Sequence, residues 1–246
     1  MSIFPKLLYA HRGASLKLPE NTLAAFKAGL EDGANALELD VHRTKDDVIV
    51  VIHDAGGMRV AGEAAFVRNS TYEQIRVWKL GDQKVPSLRE IIEAFPGIPL
   101  NVDIKDGEEK TVRQVVELVK HLGAEGRVLL AGKSTKVMRA LREAGYAGPI
   151  GMSAQEVAVL YFMPKALIGR RFEGRAAQVP LGRFPIRFAT RRFIAKCHAL
   201  GVRVDFWVIN DAKTAERLLE IGADGIMSDD PASVFAVIPC LTRNLE

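Results

Sequence analysis

Nine short runs rich in Val, Ile and Leu alternate with longer amphipathic stretches along a chain of 246 residues. This βα rhythm predicts an α/β fold, a single-domain TIM (β/α)8 barrel spanning 1–246. Eight parallel strands with their helices occupy about 250 residues, so one run must be an extension or a hairpin partner. No G-x-G-x-x-G follows the first run, which argues against a doubly wound open sheet.

The elements follow in order. Leu7–Ala10 is the first strand, and it leads into His11-Arg12-Gly13. The helical stretch Thr22–Leu30 follows Pro19-Glu20, with Asn21 and Thr22 as N-cap candidates. Ala36–Val41 and Val48–His53 flank the turn-like Thr44-Lys45-Asp46-Asp47 and read as a hairpin pair. The strand Leu100–Ile104 precedes a helix over Glu108–Leu122, and Val128–Ala131 precedes one over Lys136–Glu143. Strands at Pro149–Ser153 and Ala176–Val179 come next, then a helix over Thr190–Leu200. Val202–Ile209, a helix over Lys213–Ile221 and Asp224–Ser228 complete the series. Gly123, Gly145 and Gly201 each follow a helical stretch, as helix C-termini prefer. His121 and His198 fall in last turns, where an imidazole meets helix carbonyls, so both are read as structural.

Composition narrows the class. Apolar residues make up 48% of the chain, and Gly and Pro number 21 and 11, which excludes a disordered or collagen-like protein. The two cysteines, Cys197 and Cys240, lie in no zinc or C-x-x-C spacing and suit a reducing compartment. Met1–Tyr9 holds no apolar run of signal-peptide length, and no run approaches the ~18 residues of a transmembrane helix. The expectation is a cytoplasmic or membrane-peripheral protein. The formal net charge is +4, yet residues 165–196 carry nine basic residues against Glu173 alone, so this segment holds +8 and the remainder −4. Such a segment attracts anionic partners, and a peripheral contact with an anionic membrane through 165–196 is one expectation. No nucleic acid is expected as a partner.

The chemistry concentrates at strand ends. Glu38 and Asp40 stand two apart in Leu37-Glu38-Leu39-Asp40-Val41, so both carboxylates leave the same face of the strand. Desolvating two anions together costs several kcal/mol unless cations offset it, and a divalent metal does so economically. Asp103 and Lys105 repeat that parity on another strand, although alone they read equally well as an inward salt bridge. His11 and His53 close their strands, and the C-terminal strand ends of a barrel carry its active site. His42 shares the parity of Glu38 and Asp40 but precedes a turn and is read as rim. Three carboxylates, two histidines, Arg12 and Lys105 describe a metal site facing an anionic substrate.

Several ordered motifs now fall into a pattern. His11-Arg12-Gly13-Ala14, Pro19-Glu20-Asn21-Thr22, Glu38-Leu39-Asp40-Val41 and His53-Asp54 closely resemble the glycerophosphodiester phosphodiesterases. The resemblance continues through Val85 to Glu90, Asn101 to Lys105, Gln178-Val179-Pro180, Trp207 to Asn210 and Gly222 to Ile226, so it spans the chain. It implies a TIM barrel in which Glu38, Asp40 and Asp103 bind a divalent metal, Ca2+ or Mg2+. It also implies that His11 and His53 form the acid and base pair, with Arg12 and Lys105 holding the substrate phosphate. Gln178 and Trp207 are candidates for the substrate pocket. In that family the attacking group is often the substrate's own neighbouring hydroxyl. The sequence departs from the pattern at Asp103, where many members have Glu, and at Val208-Ile209, where many bacterial members have Thr-Val.

The implied activity is metal-dependent hydrolysis of glycerophosphodiesters such as glycerophosphocholine, giving glycerol 3-phosphate and an alcohol. The alternative within the same chemistry is a lysophospholipase D working at a membrane surface, which the basic segment beside Tyr161-Phe162-Met163 would suit. A non-catalytic binding module on a degenerate barrel is disfavoured, because both strand-end histidines and the E-x-D pair are intact.

Overall fold

A computed structural model describes residues 4–168 and 172–236. Its strands, in chain order, are β1 (Leu7–His11), β2 (Ala36–Arg43), β3 (Ile49–Val51), β4 (Leu100–Ile104) and β5 (Val128–Ala131). They continue as β6 (Ala176–Val179), β7 (Gly182–Arg183), β8 (Ile186–Arg187), β9 (Arg203–Phe206) and β10 (Gly225–Ser228). Parallel pairing runs β5-β4-β2-β1-β10-β9-β6. The gap between β5 and β6 is filled by the short stretch around Ile150 and Gly151, which bridges Leu130 on one side and Ala176 on the other. Hydrogen bonds from Gly151 N to Leu130 O (2.9 Å) and from Met152 N to Ala176 O (2.8 Å) carry the ladder across it. Eight parallel strands therefore form the TIM-like α/β barrel that the rhythm predicts, and the ninth run is β3, antiparallel to β2.

The alternation along β2 places Leu37, Leu39 and Val41 in the main core with Phe26, Leu88 and Ile91, and leaves Glu38 and Asp40 for the opposite face. A second core of Val50, Ile52, Val67, Ile75, Trp78 and Leu80 supports the insert that follows β3. Near the strand starts, Arg203 grips Asp205 with a forked pair of hydrogen bonds (2.9 and 2.8 Å). Gly225 has no side chain because a Cβ there would lie 2.2 Å from Asp205 Oδ1.

Helices Leu23–Glu31, Glu109–His121, Thr135–Glu143, Arg191–His198 and Ala212–Glu220 match the expected stretches within one or two residues. The helices Leu88–Ala94 and Ala154–Phe162 are additional, and each begins with a capping box, Ser87 with Glu90 and Ser153 with Glu156. The first is only seven residues long and the second is apolar almost all round, so neither displays the contrast of faces that periodicity detects. His198 is structural, but through a 2.7 Å contact of Nε2 with Asp224 Oδ2 rather than through its own helix end. Cys197 is buried, and Cys240 lies outside the described residues. Among the described residues no helix is long and apolar enough to cross a membrane.

One turn matters directly for the strand ends. Arg12 and Gly13 take φ of +58° and +87°, and a Cβ at Gly13 would approach the Ala25 backbone carbon to 2.5 Å. Gly13→Ala should therefore cost more than about 1 kcal/mol in urea denaturation and lower turnover by displacing Arg12. Unchanged stability and turnover would contradict this account of the turn.

Candidate active site

The ionic residues gather where the parallel strands end, and strand register sets their spacing. His11 of β1 pairs with Glu38 of β2, and Asp40 of β2 pairs with Asp103 of β4. Lys105, just past β4, is drawn in by its backbone bond to Val41 O (3.1 Å). Its ammonium reaches Asp40 Oδ1 (2.8 Å) and Asp103 Oδ2 (2.5 Å). His53 arrives by a different route. β2 runs on as a hairpin and β3 returns along it, so the Ile52 N–H donates to Asp40 O (2.9 Å) and the next residue stands beside the cluster.

Asp40 is the most densely contacted of these groups. Besides Lys105 it pairs with Arg12 Nε (3.1 Å) and accepts from Asn21 Nδ2 (3.1 Å), while its own N–H donates to Asn21 Oδ1 (3.3 Å). Burial favours the neutral acid, but Lys105, Arg12 and these hydrogen bonds outweigh it and hold the Asp40 carboxyl below its ordinary range. Glu38, equally buried, has fewer compensating partners. Burial and then the Asp40 charge push its carboxyl up to about 8, against the opposing pull of His11. The site thus carries more negative charge than its own cations neutralise. Asp103 Oδ1 is buried with no hydrogen-bond partner, a second sign of the same excess.

Each candidate histidine is tied at Nδ1 to a carboxylate. His11 Nδ1 lies 2.7 Å from Asp229 Oδ1, and its Nε2 faces Glu38 Oε2 at 3.7 Å. Asp229 also accepts from Ser15 Oγ (3.0 Å) and Asn210 Nδ2 (3.1 Å). Burial opposes ionisation of Asp229, yet its bonds to His11 and Asn210 pull its pKa to about 2. Burial would lower His11, but Glu38 and Asp229 outweigh it and leave its pKa raised. His53 Nδ1 lies 2.6 Å from Asp54 Oδ1, and hydrogen bonding first from Arg59 and then from His53 brings Asp54 to about 2. With Nδ1–H directed at a carboxylate, the Nε2 of each ring is left for the site. His42, on the rim as expected, supports the loop through Nε2 to His53 O (3.1 Å).

Two further expected site residues come from other strands. Gln178 on β6 is in register with Asp205, and Trp207 follows β9, part-exposed, with its N–H on Val179 O (3.2 Å). Among the described residues no hydrogen bond or ion pair joins either to Glu38, Asp40 or Asp103. Asn21 is not a cap: Thr22 alone caps the first helix, accepting from Ala25 N (3.2 Å), while Asn21, at φ +58°, is buried against Asp40. Sequence reasoning also missed Asp229, which stands one residue past β10, although the strand-end rule that selected His11 applies to it as well. Glu20, which accepts from Arg12 Nη1 (3.3 Å), gave no signal beyond its place in Pro19-Glu20-Asn21-Thr22.

Comparison with known proteins places the chain among its relatives. The chain is 30% identical over 250 residues to the glycerophosphodiester phosphodiesterase of Caldanaerobacter subterraneus subsp. tengcongensis, covering 94% of this chain and 97% of that protein. It is 29% identical over 266 residues to lysophospholipase D GDPD1 of Rattus norvegicus, covering 92% and 83%. The crystal structure of glycerophosphodiester phosphodiesterase from Agrobacterium tumefaciens str. C58 superposes with a TM-score of 0.80 at 23% identity, over 94% of this chain and 98% of that one. A phosphodiesterase from Oleispira antarctica, solved with its product sn-glycerol-3-phosphate, superposes with a TM-score of 0.79 at 23% identity, over 96% and 97%. The model of the glycerophosphoryl diester phosphodiesterase family matches residues 11–233, which include the whole cluster, and the chain belongs to that family.

Proposed function

We propose that this protein hydrolyses glycerophosphodiesters, such as glycerophosphocholine, to glycerol 3-phosphate and an alcohol. The observation that carries the reading is the gathering of two carboxylate-tied histidines, an arginine and a lysine around Glu38, Asp40 and Asp103 at one end of the barrel. Arg12 and Lys105 hold the phosphate oxygens and oppose the negative charge that grows on them in the transition state. One of the imidazoles His11 and His53 takes the proton of the attacking substrate hydroxyl, and the other returns a proton to the leaving alkoxide, so that the alcohol departs and a cyclic phosphate forms; water then opens that ring by the same pair of proton transfers in reverse, giving glycerol 3-phosphate. Asp229 and Asp54 keep both rings in the tautomer that presents Nε2.

Members of the family are generally divalent-metal dependent. The donor set fits such an ion in kind, since Glu38, Asp40 and Asp103 are hard oxygen ligands and both the partnerless Asp103 Oδ1 and the raised Glu38 mark an unmet demand for positive charge. Among the described residues these groups do not close into a ready-made metal cage, and Lys105 holds Asp40 and Asp103 together instead. Bound there, a Ca2+ or Mg2+ ion would neutralise phosphate charge as a Lewis acid. The rest of the chemistry belongs to the side chains.

A second reading, lysophospholipase D activity at an anionic lipid surface, is favoured by the hairpin β7–β8, where Phe184 is 98% exposed within the basic segment. Lys165, Arg175, Arg187, Arg191 and Arg192 are exposed and, among the described residues, have no ion-pair partner. Glu173, the one acid of that segment, is spent on Arg142 at 2.6 Å. Arg170 and Arg171 lie outside the described residues, and the side chain of Arg183 is likewise undescribed.

Three outcomes test these readings. His11→Ala and His53→Ala should each lower the kcat for glycerophosphocholine by at least about 10², with the double variant little worse than either, because the two act as a relay. Near wild-type turnover in either variant would end the acid and base assignment. In chelated protein, folded Glu38 retains a proton between its ordinary pKa of 4.5 and about 8 that the unfolded chain releases. Stability should then fall as pH rises through that window, and fall less in Glu38→Gln. Parallel Tm curves for the two proteins, or a Tm indifferent to added Ca2+ and Mg2+, would contradict the charge excess. Finally, sedimentation with phosphatidylserine vesicles, lost in Arg191→Glu with Arg192→Glu, would select the lipid-surface reading, whereas no sedimentation at physiological salt would select the soluble substrate.

A further inference from the structure

One guanidinium joins two of the side chains that act in the reaction. Arg59 bonds Glu20 through both oxygens (Nη1 to Oε2, 2.9 Å; Nη2 to Oε1, 2.7 Å), and its Nε reaches Asp54 Oδ2 at 2.6 Å. Glu20 Oε1 accepts from Arg12 Nη1 as well, and Asp54 Oδ1 holds His53 Nδ1. A continuous chain of contacts therefore runs His53, Asp54, Arg59, Glu20, Arg12.

The placement of Arg59 is itself built. It stands on the short helix Met58–Ala61 in the insert after β3, and Val60 and Ala61 of that helix pack on the second core. Gly57, its N-cap, lies so close that a Cβ would meet the Trp78 ring at 2.9 Å. The backbone is thus fixed to the core while the head group faces the rim. Only a planar fork with three separate nitrogens serves two carboxylates in this way. A lysine ammonium, a single point of charge, cannot repeat the bidentate contact to Glu20 and reach Asp54 at once.

We propose that Arg59 is a positioning residue for the phosphodiester reaction. Through Asp54 it fixes the tautomer and ring plane of His53, and through Glu20 it fixes the approach of Arg12 to the phosphate. This rests on the roles given above to His53 and Arg12. Loss of Arg59 removes the partner that orients Asp54 and the partner that orients Glu20, so both proton transfer and phosphate binding deteriorate together.

The test combines kinetics with a direct view of the imidazole. In 15N-labelled protein, long-range 1H–15N correlation spectra, assigned by comparison with His53→Ala, report which nitrogen of His53 carries the proton. Wild type should show the Nδ1–H form. Arg59→Ala should show a mixture, with kcat down by about tenfold or more and KM raised, while Tm stays near that of wild type. Arg59→Lys should fail to restore either. Arg59→Gln, which keeps the stem and loses the fork, replaces Arg59→Ala if that variant does not fold. An unchanged His53 spectrum, or kcat and KM within twofold of wild type in a folded variant, would overturn the proposal. His53→Ala in the same assay keeps the two ideas separable: full turnover there removes the acid and base reading, whereas the His53 spectrum of the Arg59 variant judges Arg59 independently.

Discussion

The buried Asp40 carboxylate is the constraint around which the rest of the site is arranged. A charge removed from water must be met by cations and hydrogen bonds, and Asp40 is met from several directions: Lys105 after β4, Arg12 after β1, and Asn21 from the loop before the first helix. Its carbonyl oxygen in turn receives Ile52 N–H and so fixes the start of the loop that carries His53. The loop after β1, the end of β3 and the segment after β4 are thus brought to one point by a single residue. Substitution at Asp40 should consequently disturb phosphate binding, imidazole placement and cation affinity together.

The barrel makes such a concentration of charge tolerable. Its hydrophobic cores lie between strands and helices and beneath the insert after β3, so the ends of the strands are free to carry groups that no core would accept. Parallel register then aligns His11 with Glu38 and Asp40 with Asp103. Positive φ at Arg12 and Asn21 turns the chain sharply at both places where it must return a side chain to Asp40. Rigid strands supply the carboxylates, while Asp229, Asp54 and Glu20 on the connecting segments orient the cationic and titrating groups.

Much of this was legible in the chain itself. Period-two alternation exposed Glu38 with Asp40 and Asp103 with Lys105, and short β-branched runs revealed all eight barrel strands and the hairpin partner, because strand parity is a local property. What the sequence concealed depends on contacts between distant segments. Asn21 looks like a cap, since its type and position before a helix suit one, and only the fold reveals that its amide is turned onto Asp40. Asp229 and Arg59 stand 218 and six residues from the histidines they serve, and no periodicity connects either pair.

The most direct measurement of the central claim follows the phosphorus itself. 31P NMR of glycerophosphocholine incubated with wild-type protein and a divalent cation should show the diester signal replaced by that of glycerol 3-phosphate. Asp40→Asn, which keeps the shape and removes the charge, should leave the diester intact while the protein remains folded. Conversion by Asp40→Asn at the wild-type rate, or a diester signal untouched by wild type, would contradict the account.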